Sequence, residues 1–277
     1  MASRGFTLIE LVTSIVLLSI LALSVTSYLG VAARMYVDVT DREQLLAQSR
    51  FAIERLSREL RNATPNSVRV NTNAVATCLE FTPFLESGRY IQASVAPDES
   101  DQVEVIGAES VEATSFFSPN LPRLVIYPRP PAAASEPDPI YDGVSPANVL
   151  VSGWSANEPD SSVYVLQLAE QHSFSQHSPE RRWYLLSSPL SYCVVQEQLV
   201  RYSDYGFYAS QPMPGAGLAN GVLMAEHIVN LNMGEPVFRH NEAVLNRNAV
   251  VNIYFRYGRD LTDDTFFNHE VHILNVP

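Results

Sequence analysis

The sequence predicts an α+β fold: one long N-terminal helix packed on an antiparallel β-meander. Three observations carry that expectation. Residues 11–33 form an apolar run without a single charge, residues 34–62 keep a helical repeat, and the chain beyond residue 66 breaks into short strand-like runs between turn residues.

Composition narrows the function. A chain of 277 residues with 46% hydrophobic content can bury a sizeable core. The net charge is -12, and all 18 basic residues are arginine, with no lysine. An acidic chain without a basic tract is a poor match to nucleic acid, whose phosphates need clustered cations. The absence of lysine also excludes Schiff-base and P-loop chemistry. The two cysteines, Cys78 and Cys193, stand far apart with no CxxC pattern. Binding and structural roles gain weight over catalysis.

The apolar run comes first. As a helix rising about 1.5 Å per residue, it is long enough to cross a hydrocarbon core of about 30 Å. Arg4 precedes it with no acid nearby, so the N-terminus should stay cytoplasmic and the bulk should be exported. An ordinary secretory signal has a shorter apolar stretch, about 7–15 residues, and ends at a small-residue cleavage site. This run is longer and continues into a charged helix. Glu10, near its start, is the anomaly. A carboxylate within an apolar helix costs several kcal/mol unless it finds a partner, so such residues tend to be functional. Depth alone also allows Glu10 to rest at the membrane interface.

The neighbouring residues add a resemblance. Gly5-Phe6-Thr7-Leu8-Ile9-Glu10-Leu11, after a short basic leader, resembles the cleavage and methylation motif of type IV prepilins and type II secretion pseudopilins. The resemblance implies cleavage between Gly5 and Phe6 by prepilin peptidase, then N-methylation of Phe6. Glu10 becomes the fifth residue of the mature chain counted from Phe6. Cleavage leaves a cationic amine on Phe6, one helical turn from Glu10. In a fibre, a neighbouring subunit's Phe6 amine can approach Glu10. Unmade, such a pair leaves a costly buried charge, so it would set axial register more than add stability. One departure stands out: major pilins commonly carry a proline late in the apolar segment, and none occurs here before Pro65.

The second part of the helix reads as an amphipathic stripe. Leu46, Ile53, Leu56 and Leu60 repeat at three- and four-residue spacing, with Ser49 and Ala52 between them. Arg50–Glu54, Glu54–Arg58 and Arg55–Glu59 are candidate i,i+4 pairs. Asn62 and Pro65 supply the stop. The wording ERLSRELRNATPNSVRV resembles the PilW and pseudopilin-J branch of minor pilins, within it the MshO-type proteins of the mannose-sensitive haemagglutinin (MSHA) pilus. The contexts CLEF, YCVVQEQLVRY and HEVHILNVP carry the same resemblance.

In the exported part, CLEFTPF, RYIQASV, RLVIYP, SSVYVLQL, RRWYLLS, SYCVV, QLVRYS, HIVNLNM, VVNIYFRYG and HEVHILNVP read as strands. Residues 128–146, rich in proline, and residues 211–221 read as surface loops outside the sheets. Such loops are either passive or, on a rigid scaffold, a recognition surface. Cys78 and Cys193 read as a disulfide in an oxidising compartment, with two buried free thiols as the alternative.

Candidates for chemistry are weak. His269 and His272, three apart on a strand, point to opposite faces and cannot share a metal. His172 and His177 lack a companion acid set. Asp260, Asp263 and Asp264 offer carboxylates that calcium could use, without EF-hand spacing. No cofactor and no enzymatic activity are expected.

These readings divide the chain into a leader (1–5), a transmembrane and assembly half of the helix (6–33), an amphipathic half (34–62) and an exported β-rich domain (63–277) with the insert 128–146. What the resemblance implies is a minor pilin that primes, caps or supports a type IV, MSHA-like pilus. Its partners would be prepilin peptidase, other minor pilins, the major pilin and, before assembly, the inner membrane. A type II secretion pseudopilin and a pilus-borne adhesin are the alternatives; any surface ligand is unidentified.

Overall fold

A computed structural model describes residues 7–106, 122–129, 138–142, 148–157, 160–242, 248–258 and 265–273. The chain divides into two compact units, Met1–Gln48 and Ser49–Pro277. Helix α1 (Leu8–Arg61) supplies nearly all the described part of the first unit and opens the second. It ends where Asn62 and Pro65 predict.

Within the second unit, Ser49, Ala52, Leu56, Ser57 and Leu60 are buried. Three of the predicted stripe positions therefore reach the core alongside Ala52, while Ile53 and Leu46 are only half-buried and Ser57 takes a core place. Of the three expected i,i+4 pairs, only Arg55–Glu59 closes, at 3.2 Å.

Sixteen strands follow among the described residues, and their order departs from a simple meander. A five-stranded antiparallel sheet is built from β1 (Arg69–Thr72), β2 (Ala76–Phe81), β9 (Leu190–Val195), β10 (Gln198–Tyr202) and β13 (Val222–Ala225), side by side in that order. Between β2 and β9 the chain leaves the sheet and closes a six-stranded antiparallel barrel. The barrel strands are β3 (Phe84–Gln92), β4 (Ser100–Ile106), β5 (Arg123–Ile126), β6 (Asn148–Asn157), β7 (Asp160–His172) and β8 (Arg182–Leu186), in the order β3-β4-β7-β6-β5-β8. A two-stranded parallel ladder, β11 (Met213–Pro214) with β12 (Gly217–Leu218), and a three-stranded sheet, β14 (Phe238–Asn241), β15 (Ala249–Tyr257) and β16 (Thr265–Ile273), complete the unit.

The nesting has a physical cause. A barrel must pair its first strand with its last, so β3 pairs with β8 and β4 with β7. Register shifts interrupt four of the barrel pairings, as closure through bulges requires. Gly88 sits where β3 passes closest to its neighbours: a Cβ there would lie 2.2 Å from the Ile106 carbonyl oxygen and 2.9 Å from the Trp183 indole nitrogen. The barrel interior is apolar, with Val105, Leu124, Val151, Leu166, Trp183 and Leu185 fully or almost fully buried.

Two loop expectations are revised. Within the Pro-rich insert, residues 138–142 form a turn whose Ile140 and Tyr141 are fully buried; the Tyr141 hydroxyl donates to the Ser67 carbonyl at 2.7 Å. Most of the rest of 128–146 lies outside the described residues. The 211–221 segment forms the β11–β12 ladder and packs Met213 and Leu218 beside the two cysteines. HIVNLNM is not a strand: it holds the isolated bridge residue Ile228 and a 3-10 turn, Leu231–Met233, closed by Gly234 at φ 68.

Candidate functional site

The start of α1 is shaped by two side chains. Thr7 precedes the first helical residue, and its hydroxyl donates to Glu10 Oε2 at 3.3 Å, while the Leu11 amide donates to the Thr7 carbonyl at 3.2 Å. Thr7 and Glu10 thus stand at the N-cap and third positions of a Thr-x-x-Glu capping arrangement. The carboxylate also lies in the first helical turn, where the exposed amide dipoles favour negative charge. Beside the register role and the interface position that the sequence suggests for Glu10, the Thr-x-x-Glu spacing signals a local one. Gly5 and Phe6 lie outside the described residues.

Beyond Glu10 the helix is apolar and uncovered. Its large apolar side chains from Leu8 to Val39 expose between 48 and 82% of their surface. The hydroxyls in this stretch turn inward on their own backbone: Ser14 bonds the Glu10 carbonyl at 2.8 Å, Ser19 that of Ile15, and Ser24 that of Ile20. Each such bond hides a polar group that would be unpaired in lipid. The helix is long and apolar enough to cross a membrane. Met35, Tyr36, Val37 and Val39 extend the exposed apolar surface past Arg34.

In the second unit the helix is locked by charge. Tyr192 of β9 donates to Glu59 Oε2 at 2.6 Å and Arg201 of β10 donates to the same oxygen at 3.0 Å, with Arg55 on the other. Burial alone would raise the Glu59 carboxyl, but the Tyr192 and Arg201 bonds outweigh it and hold the group below its usual value. One strand pair away, fully buried Glu80 of β2 accepts from Arg69 and from the Tyr205 hydroxyl. Here burial wins over the Arg69 charge, and the carboxyl is pushed up. The Arg69 guanidinium also covers the Tyr141 ring at 3.7 Å and bonds the carbonyls of Tyr208 and Ala209. The sequence does not mark half-buried Glu59 or buried Glu80 as a hub between helix and sheet, because nothing local tells which helix face meets which strand.

Cys78 and Cys193 are joined in a disulfide, and they are directly opposite residues of β2 and β9. The bond ties the two strands between which the barrel leaves and rejoins the sheet. His269 is half-buried and His272 exposed on β16, in keeping with opposite faces. His172 meets the Phe174 ring and His177 the Tyr90 hydroxyl. Asp260, Asp263 and Asp264 lie outside the described residues. Among the described residues no group of three metal-binding side chains assembles.

Residues 1–26 fit the family model described as the prokaryotic N-terminal methylation motif. The motif supports a type IV pilin-like or pseudopilin-like protein. No curated protein and no solved structure matches the chain. For a pilin-like chain the motif implies processing by prepilin peptidase and assembly with other pilins, and with the apolar helix it supports a membrane-anchored protein.

Proposed function

We propose that this chain is a minor pilin that primes, caps or supports assembly of a type IV pilus of the MSHA kind. Prepilin peptidase cuts between Gly5 and Phe6, Phe6 is N-methylated, and residues 11–33 hold the protein in the inner membrane with the β-rich unit in the periplasm until it enters the fibre. The observation that supports this reading is the methylation motif continued directly into an uncovered apolar helix with Glu10 in its first turn. The size of the exported unit and the lack of a proline in the apolar segment favour a minor over a major subunit. In this role Glu10 receives the Phe6 amine of a neighbouring subunit and fixes axial register; in the free chain it rests on Thr7.

The test is the number of pili on cells lacking the protein, with and without retraction. Pili that vanish and return when retraction is blocked support a role in initiation. Normal pili with lost adhesion favour the adhesin reading, and normal pili with lost protein secretion favour a pseudopilin. Glu10→Ala should leave cleavage intact yet reduce recovery in sheared fibres by about tenfold or more, the scale of one unpaired buried charge. Equal recovery of the variant and wild type sinks the register role.

A further inference from the structure

The three-stranded C-terminal sheet ends on a bare edge. β16 pairs along all nine residues with β15, without a register shift, and nothing pairs with its other side among the described residues. Its sequence, TFFNHEVHI, carries no proline, glycine, lysine or arginine. Proline, lysine and bulges are the devices that most often blunt a free edge, and the one acid or base of full charge on this strand is Glu270. The contrast within this molecule is direct, since four of the barrel pairings are bulged. An unblunted edge of this length presents alternate amides and carbonyls that only another extended backbone satisfies in full.

The side chains beside the edge narrow the occupant. Phe267, Val271 and Ile273 point inward, and Val271 and Ile273 are buried, so an added strand must place apolar residues on that face. At the C-terminal end of β16 lies an open cleft of 330 Å³ lined by Arg61, Glu270, Val271 and His272. The exposed Arg61 makes no ion pair among the described residues. A strand seated there meets the Arg61 guanidinium, which makes no ion pair with the neighbouring Glu270 and can receive a carboxylate from the incoming strand. A second copy of β16 does not supply one: aligned antiparallel over its full length, it sets Asn268, Phe267 and Phe266 opposite Glu270, Val271 and His272.

We infer that β16 accepts an extended strand from a different subunit of the fibre, one that alternates apolar residues and brings a carboxylate to Arg61. This rests on the assembly role proposed above. The strand continues the β14-β15-β16 sheet across the subunit boundary, so the exported units are joined by backbone hydrogen bonds as well as through their helices.

Hydrogen–deuterium exchange of the full-length chain, in membranes and in sheared fibres, tests this. The peptide covering 265–273 should exchange about tenfold or more slowly in fibres, because an added strand closes its outward amides. Arg61→Glu should remove that protection while leaving exchange in the membrane form unchanged. Proline at Asn268 or at His269 gives a paired control: neighbouring amides of a strand point to opposite sides, so one variant breaks the β15 ladder and the other blocks only the outer edge. The variant that keeps the membrane-form exchange pattern should lose protection in fibres. Equal exchange of 265–273 in membranes and fibres overturns the inference alone, whereas absence of the chain from fibres overturns the assembly role with it. Carboxylate-reactive cross-linking at Glu270 that returns only β16 of a second copy also overturns it.

Discussion

The five-stranded sheet and the barrel inserted into it are stabilised in different ways. The sheet is covalently tied by Cys78–Cys193 and carries buried charge at Glu80, with Glu59 of the helix bound across β9 and β10. Among the described residues the barrel has neither a disulfide nor a buried carboxylate: an apolar cluster runs from Tyr90 to Leu185, and the polar residue buried on its strands is the uncharged Asn148. Apolar packing is non-directional and tolerates many arrangements of similar volume, whereas a buried carboxylate is costly unless its particular partners arrive. The sheet must seat the helix in one rotation and hold the two strands of the barrel's neck together. The barrel has only to close.

The largest expected effect separates the two directly. Trp183→Ala should cost about 3–5 kcal/mol, as for other large-to-small core changes, and should speed amide exchange in the barrel more than in the sheet. Reduction of Cys78–Cys193, or Cys78→Ser with Cys193→Ser, should cost about 2–5 kcal/mol through the 115-residue separation it closes, and should act first on β2 and β9. If both changes melt sheet and barrel in one transition by calorimetry and exchange, the two are a single cooperative unit and the contrast fails.

Smaller effects sharpen it through pH. The Glu59 carboxyl is held below its ordinary value of 4.5, so its contribution is present above that pH and is lost as pH falls through the lower folded value. Glu80 is held above 4.5, so it carries a penalty at neutral pH that is relieved as pH falls through its raised folded value. Acidification should therefore first relieve the sheet at Glu80 and then weaken it at Glu59. Glu59→Gln should remove the loss below pH 4.5 at a cost of about 1–3 kcal/mol at neutral pH, the usual range for a charged hydrogen bond. Glu80→Gln should abolish the earlier gain. Urea titrations from neutral pH to about pH 3 measure both signs. Unchanged profiles in both variants would show that other groups set the acid response. The smallest effect is Glu54→Ala, expected within about 0.5 kcal/mol, since neither of its expected helix pairs forms.

Legibility followed locality. The helix, its stop before Pro65, and most strands were readable because hydrophobic period and turn residues are written along the chain. HIVNLNM was misread because apolar alternation without partners does not distinguish a strand from a bridge and a 3-10 turn. Tyr141 was hidden for a related reason: a proline-rich context reads as surface, yet its ring lies under Arg69 and its hydroxyl on Ser67. The Thr7–Glu10 contact is legible in the Thr-x-x-Glu spacing, since both residues lie within one helical turn.

The sequence by itself determined that a long apolar helix with an early glutamate leads into an amphipathic turn-ended segment and a strand-rich unit with two cysteines. Those features depend on neighbours a few positions apart. Only the tertiary structure decided that β2 meets β9 where the barrel leaves the sheet, that Cys78 faces Cys193, that half-buried Glu59 and buried Glu80 become hydrogen-bonding hubs, and that β16 has one open side among the described residues. Strand partners and barrel closure are chosen by which surfaces can be buried together, and residues far apart in the chain carry no local mark of that choice.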